Sequence, residues 1–268
     1  MQGIKTLLEK NPNLLKVESF HPERNEKRSR YKKVIKADYD KLYELAKEYI
    51  SWGRGIPSWR VDWAIEKIFN FGKGMAKEYH LDLLEIDRLF NQVLPHYMRG
   101  GLLGCLISGL YTDIIKEDDT LRLYLKRYPA TVSGLGYRHH KGKLEIIGNR
   151  AYYLGVEMEH GQILVRGNVG NYLGKSIKGG QIMVEGNARN WVGERMKGGL
   201  IFIRGDAGHI VGKKMTGGEI VVEGDVGYWV GDDMRGGVIR IKGRYQSLGG
   251  ERRGGEIYIL GNKWERIG

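Results

Sequence analysis

The chain has 268 residues, enough for one large domain or two ordinary ones, and 41% of them are apolar, so a packed core is expected. Glycine is the outlier at 41 residues against five prolines, which excludes collagen and a Pro-rich linker and points to a chain that turns often. A single cysteine, Cys105, excludes an intramolecular disulfide framework and a cysteine-built metal cluster, and the net charge of +12 raises the question of an acidic partner.

Residues 1–36 read as an irregular basic segment, with 10 Lys/Arg against 4 Asp/Glu. Its densest part is Arg24, Lys27, Arg28, Arg30, Lys32 and Lys33, with Tyr31 among them. Such a strip fits RNA, DNA or an acidic protein surface; it equally fits a solvated tail. The first residues show no signal peptide, so a reducing, cytoplasmic setting is expected. The most apolar run, 100–110, is too short to cross a membrane.

Residues 37–133 read as an α-helical domain. Tyr39, Leu42, Tyr43, Ala46, Tyr49 and Ile50 recur at helical spacing, as do Trp59, Ile65, Ile68 and Phe69 behind Pro57 and Ser58. Leu83 to Leu94 predicts a further helix closed by Pro95, and the Gly/Leu-rich stretch from Tyr97 to Tyr111 a closely packed buried one. Tyr128-Pro129 ends the helical part.

From residue 134 the pattern changes. Gly142, Gly161, Gly180, Gly199, Gly218, Gly237 and Gly255 are spaced by 19 residues five times and then by 18, the mark of a solenoid. Two positions after each stands Leu144, Ile163, Ile182, Ile201, Ile220, Ile239 or Ile257. Four positions after stands Ile146, Val165, Val184, Ile203, Val222, Ile241 or Ile259. Alternate residues of a strand share a face, so both columns are expected to point inward and stack. Leu154, Leu173, Val192, Val211 and Val230 form another inward column, and Met158, Ile177, Met196, Met215 and Met234 a fourth. The fold predicted over 134–268 is a single-chain parallel β-helix of about seven rungs, and the whole chain is α+β. The helical part is expected to cap the first rung, whose apolar columns would otherwise end in water.

Charge keeps the same register. Arg166, Glu185, Arg204, Glu223 and Lys242 alternate in sign, as do Lys175, Glu194, Lys213 and Asp232, so neighbouring rungs are expected to pair. Such networks gain weight at high temperature and hint at a thermophilic source. The third strand position should face outward, yet it holds Leu164, Met183, Phe202 and Val221. An outward apolar stripe needs a cover, either the protein's own helical domain, a partner subunit or, by self-association, a second copy, and these four residues are the partner-docking candidates.

The motif Gly-x-x-Gly-x-x-x-Gly occurs at Gly167-Gly170-Gly174, Gly205-Gly208-Gly212 and Gly224-Gly227-Gly231. With the 19-residue period it resembles the glycine repeat of the C-terminal domain of the glutamate synthase large subunit, and equally that of the glycine-repeat subunit of formylmethanofuran dehydrogenase. Arg189 and Gln246 stand where two further rungs would carry the middle glycine. The resemblance covers about residues 134–268. It implies a right-handed β-helix with no catalytic residues and no cofactor of its own, bridging partners that carry flavin, iron–sulfur or molybdenum/tungsten chemistry.

Two constellations carry chemistry if any does. His139 and His140 are adjacent where the two halves meet; metal or proton work competes with a solvated loop. Asp206 and Asp225 fall on successive rungs; a shared proton or cation competes with a turn role in the column Asn149, Asn168, Asn187. The aromatic column Tyr153, Tyr172, Trp191 and Trp229 either stacks on a ligand or packs beside the core. Three functions are therefore expected in order: a non-catalytic scaffold or assembly subunit of an oxidoreductase complex, a nucleic-acid-binding protein using the basic segment, and an enzyme with a site between helices and β-helix.

Overall fold

A computed structural model describes residues 61–93, 102–128, 131–149, 151–260 and 264–266. The basic segment of residues 1–36 and the first expected helix lie outside them. Within them the expected class is found: a helical region followed by a parallel β-solenoid of about seven turns with a 19-residue period.

Helix α1 spans Val61–Glu78 and buries Ile65, Ile68 and Phe69, the face its periodicity marks. Helix α2, Leu83–Arg88, starts on a capping box: Asp82 accepts from the Glu85 N–H at 2.7 Å, and Glu85 accepts from the Asp82 N–H at 2.8 Å. It runs on as a π-helical stretch, Leu89–Val93. Helix α3, Leu103–Thr112, is buried on every side, which is why its sequence shows no polar stripe. It lies against α1 through Gly72 and Gly109: a Cβ on Gly109 would run into the Phe69 carbonyl, and one on Gly72 into that of Leu106.

Eight strands of the solenoid's main sheet pair in parallel: β1 (Thr120–Tyr124), β3 (Lys143–Ile147), β5 (Gln162–Arg166), β6 (Gln181–Val184), β7 (Leu200–Ile203), β8 (Thr216–Val222), β9 (Arg235–Ile241) and β10 (Gly254–Leu260). They follow one another in space in that order, and the short β11 (Trp264–Arg266) closes the far edge antiparallel. A second face begins with β2 (Val132–Ser133) and β4 (Ala151–Tyr152) and climbs through single bridges Ala151–Val169–Ala188–Ala207–Val226–Tyr245.

The first rung is thus β1, inside the stretch read as helical. Leu121 pairs with Leu144 and Leu123 with Ile146, so β1 extends both inward columns. It carries no leading glycine and lies 23 residues, not 19, before its partner, because the turn Leu125–Arg127 and its neighbours lengthen that coil. Periodicity alone could not find it.

Of the fourteen aliphatic residues in the two columns, all but Ile259 on the last rung are buried. The Leu154 and Met158 columns are buried as well. Each such side chain contributes roughly 1.5–3 kcal/mol as an upper estimate. One core runs from α1 and α3 into the last rungs. The glycine motif has a steric cause. Gly205 sits where a Cβ would strike the Asn187 amide of the rung below, and Gly208 where it would strike that of Asn190.

The apolar stripe departs from expectation. Leu164, Phe202 and Val221 are buried within this chain, Val221 completely, and Met183 is partly buried. With Leu200, the last three form a small cluster apart from the main core. In-register neighbours at one-rung spacing flank each of them, Val221 lying between Phe202 and Arg240. They do not form an open docking face.

Candidate functional site

Three regions hold the chemistry-bearing residues singled out above, and the fold accounts for each differently. His139 and His140 lie under α3. His139 is 1% exposed, so the expectation of a solvated pair fails for it. Its Nε2 lies 3.2 Å from the Gly142 carbonyl, which can only accept, so Nε2 carries the proton. Nδ1 is then free to accept from the Tyr111 hydroxyl at 3.3 Å. Burial pushes the ring down to about 4; the Gly142 bond opposes this and neighbouring His140 adds to it. His140 is half-buried, its Nδ1 3.3 Å from the Thr112 hydroxyl. The pair thus joins α3 to the first coils. Cys105 lies in the same layer, its thiol raised by burial and directed at the Ser133 carbonyl.

Asp206 and Asp225 belong to a ladder along one corner. The Asn168 N–H donates to the Asn149 side-chain oxygen at 2.7 Å, Asn187 N–H to Asn168 at 2.7 Å, and Asp206 N–H to Asn187 at 2.9 Å. The Asp225 N–H donates to Asp206 at 2.8 Å and the Arg244 N–H to Asp225 at 2.7 Å. Each carboxylate takes the place of an asparagine oxygen. Asp225 is held below the usual carboxylate range by the Arg244 backbone and guanidinium. A second ladder passes from Asn171 through Asn190 to His209, whose Nδ1 accepts the Tyr228 N–H at 3.0 Å.

The aromatic column is stacked on itself. Tyr153 and Tyr172 lie 4.6 Å apart, Tyr172 and Trp191 5.0 Å, both nearly parallel, so the ring faces are turned to one another. Ile210 breaks the stack, and beyond it Trp229 and Tyr228 are about half exposed. Tyr153, Tyr172, Trp191, Ile210 and Trp229 all have positive φ, a conformation shared by these five successive coils.

Sequence reasoning missed two polar clusters. Glu145 is 5% exposed between Arg122 (2.6 Å) and Arg166 (2.7 Å), and Arg166 reaches Glu185 at 3.0 Å. Burial pushes the Glu145 carboxyl up, but the two guanidiniums outweigh it and hold it below its ordinary value. The second cluster is Asn91, which accepts from the Tyr124 N–H at 2.8 Å and donates to the Arg122 carbonyl at 2.6 Å. One side chain thereby occupies the open edge of β1.

Neither a protein-family model nor a curated protein matches the chain.

No group of three or more His, Cys, Asp or Glu placed to hold a metal occurs among the described residues, and no described helix is long and apolar enough to cross a membrane.

Proposed function

We propose that the chain is a non-catalytic scaffold, an assembly element of a cytoplasmic oxidoreductase complex related to glutamate synthase or formylmethanofuran dehydrogenase. The supporting observation is where the polar side chains are used. The Asn and Asp oxygens of the corner ladder hold the next coil's backbone, and His139 is neutral and sealed beneath α3. A column built this way is stiff, and its exterior is left for binding. The test is native purification. The chain is expected to co-elute with a larger subunit absorbing at flavin or iron–sulfur wavelengths. Elution of the chain alone from a native extract would contradict the proposal.

A second reading, binding of nucleic acid, is favoured by the net charge of +12 and by the basic excess of residues 1–36, with Arg24, Lys27, Arg28, Arg30, Lys32 and Lys33 as its candidates. Oligonucleotide retention that weakens with salt supports it.

A further inference from the structure

The coils carry a second concentration of positive charge. Three successive turns, 175–178, 194–197 and 213–216, contain Lys175, Lys178, Arg195, Lys197, Lys213 and Lys214 against one carboxylate, Glu194. The fold sets these turns directly above one another: the Ser176 N–H donates to the Glu194 carbonyl at 2.7 Å and the Arg195 N–H to that of Lys213 at 2.7 Å. The turns therefore form a ridge rising about 4.8 Å per rung. Acidic turns bound it at both ends, where Lys178 meets Glu159 at 2.8 Å and Lys213 meets Asp232 at 3.0 Å. Between them Arg195 and Lys197 are exposed to solvent, with the Arg195 guanidinium 3.8 Å from Glu194.

The aromatic column runs alongside. The Lys175 ammonium lies 5.7 Å from the Tyr172 ring centre, which joins the two features. At the far end of that column Trp229 and Tyr228 are 54% and 48% exposed, two of the four large exposed hydrophobic residues among those described. Tyr172 and Trp191 lie level with the basic turns, and the exposed Trp229 and Tyr228 lie one rung beyond Lys213 and Lys214; cations at regular rise with exposed rings at one end match a ligand with a repeating anionic backbone and planar groups. The two features meet their complements in phosphates and unpaired bases. A duplex would keep its bases stacked inside.

We propose that this ridge and the Trp229 end of the aromatic column bind single-stranded nucleic acid, with Arg195, Lys197 and Lys214 on phosphates and Trp229 and Tyr228 against bases. The proposal rests on the second reading above and moves its contact surface from residues 1–36 onto the solenoid.

The test uses the full chain and a fluorescein-labelled oligo(dT) of about 20 nucleotides at about 0.1 M salt, read by anisotropy. Two charge variants are compared: Arg195→Ser with Lys197→Ser and Lys214→Ser, and serine at Arg24, Lys27, Arg28, Arg30, Lys32 and Lys33. Serine suits Arg195 and Lys214 because Ser176 holds the same column at φ 57°, and Lys197 is exposed; an unchanged thermal melt verifies folding. The ridge variant is expected to bind about tenfold more weakly or worse. Oligonucleotide should also quench tryptophan emission in the parent chain, and less so in Trp229→Ala. Undiminished binding by the ridge variant, with loss only in the 24–33 variant, overturns the ridge and leaves the second reading standing. No binding by the parent chain overturns both. Displacement by poly-glutamate as readily as by unlabelled oligonucleotide overturns the nucleic-acid assignment in favour of an acidic protein.

Discussion

His139 is neutral because it is dry. Its folded value near 4 lies below the ordinary 6.5, so below pH 6.5 the unfolded chain takes up a proton that the folded chain refuses. This contribution is intact above pH 6.5 and is lost as pH falls toward 4, by about 3 kcal/mol in all. Urea melts between pH 7 and 4.5 are expected to show that slope, and His139→Gln to flatten it. Strain is the other residue-scale matter. Ile210 sits at φ 64°, where a β-branched side chain is most crowded. Ile210→Asn is expected to raise stability by about 1 kcal/mol in denaturant melts, because asparagine tolerates this conformation.

Among elements, α3 matters most. It is apolar on all sides and can approach α1 only because Gly72 meets Gly109. Gly109→Ala is expected to cost about 3 kcal/mol, since backbone and not a flexible side chain blocks the new methyl. Circular dichroism melts read that loss. The edge of β1 is held by the Asn91 amide, so Asn91→Ala removes its hydrogen bonds to the Tyr124 N–H and the Arg122 carbonyl. A loss of about 2 kcal/mol is expected, with faster amide exchange confined to β1. Helical periodicity announced α1, and an uninterrupted apolar run announced α3. Nothing in the local sequence announced Asn91, because its partners lie 31 and 33 residues away.

At the scale of the whole molecule, one continuous core ties the helices to the coils. A fragment of residues 134–268 lacks β1 and α3 and would expose Leu144 and Ile146, so it is expected to aggregate rather than stay monomeric in light scattering. The cross-rung pairs Arg166–Glu185, Lys213–Asp232 and Lys242–Glu223 follow the alternation of sign. If the source is thermophilic, as that alternation led us to propose, the melting temperature should exceed the range of about 45–65 °C common to mesophilic domains.

The order of columns was legible because a solenoid converts sequence separation into spatial neighbourhood: residues 19 apart are stacked, so a repeat in the chain is a contact map. The inward aliphatic ladders, the corner glycines and the paired charges all follow from that conversion. It fails wherever spacing is irregular or contacts cross between halves. The first rung at Thr120, the burial of His139 under α3 and the placing of Arg122 against Glu145 depended on packing between segments with no shared period, and only the tertiary structure decided them.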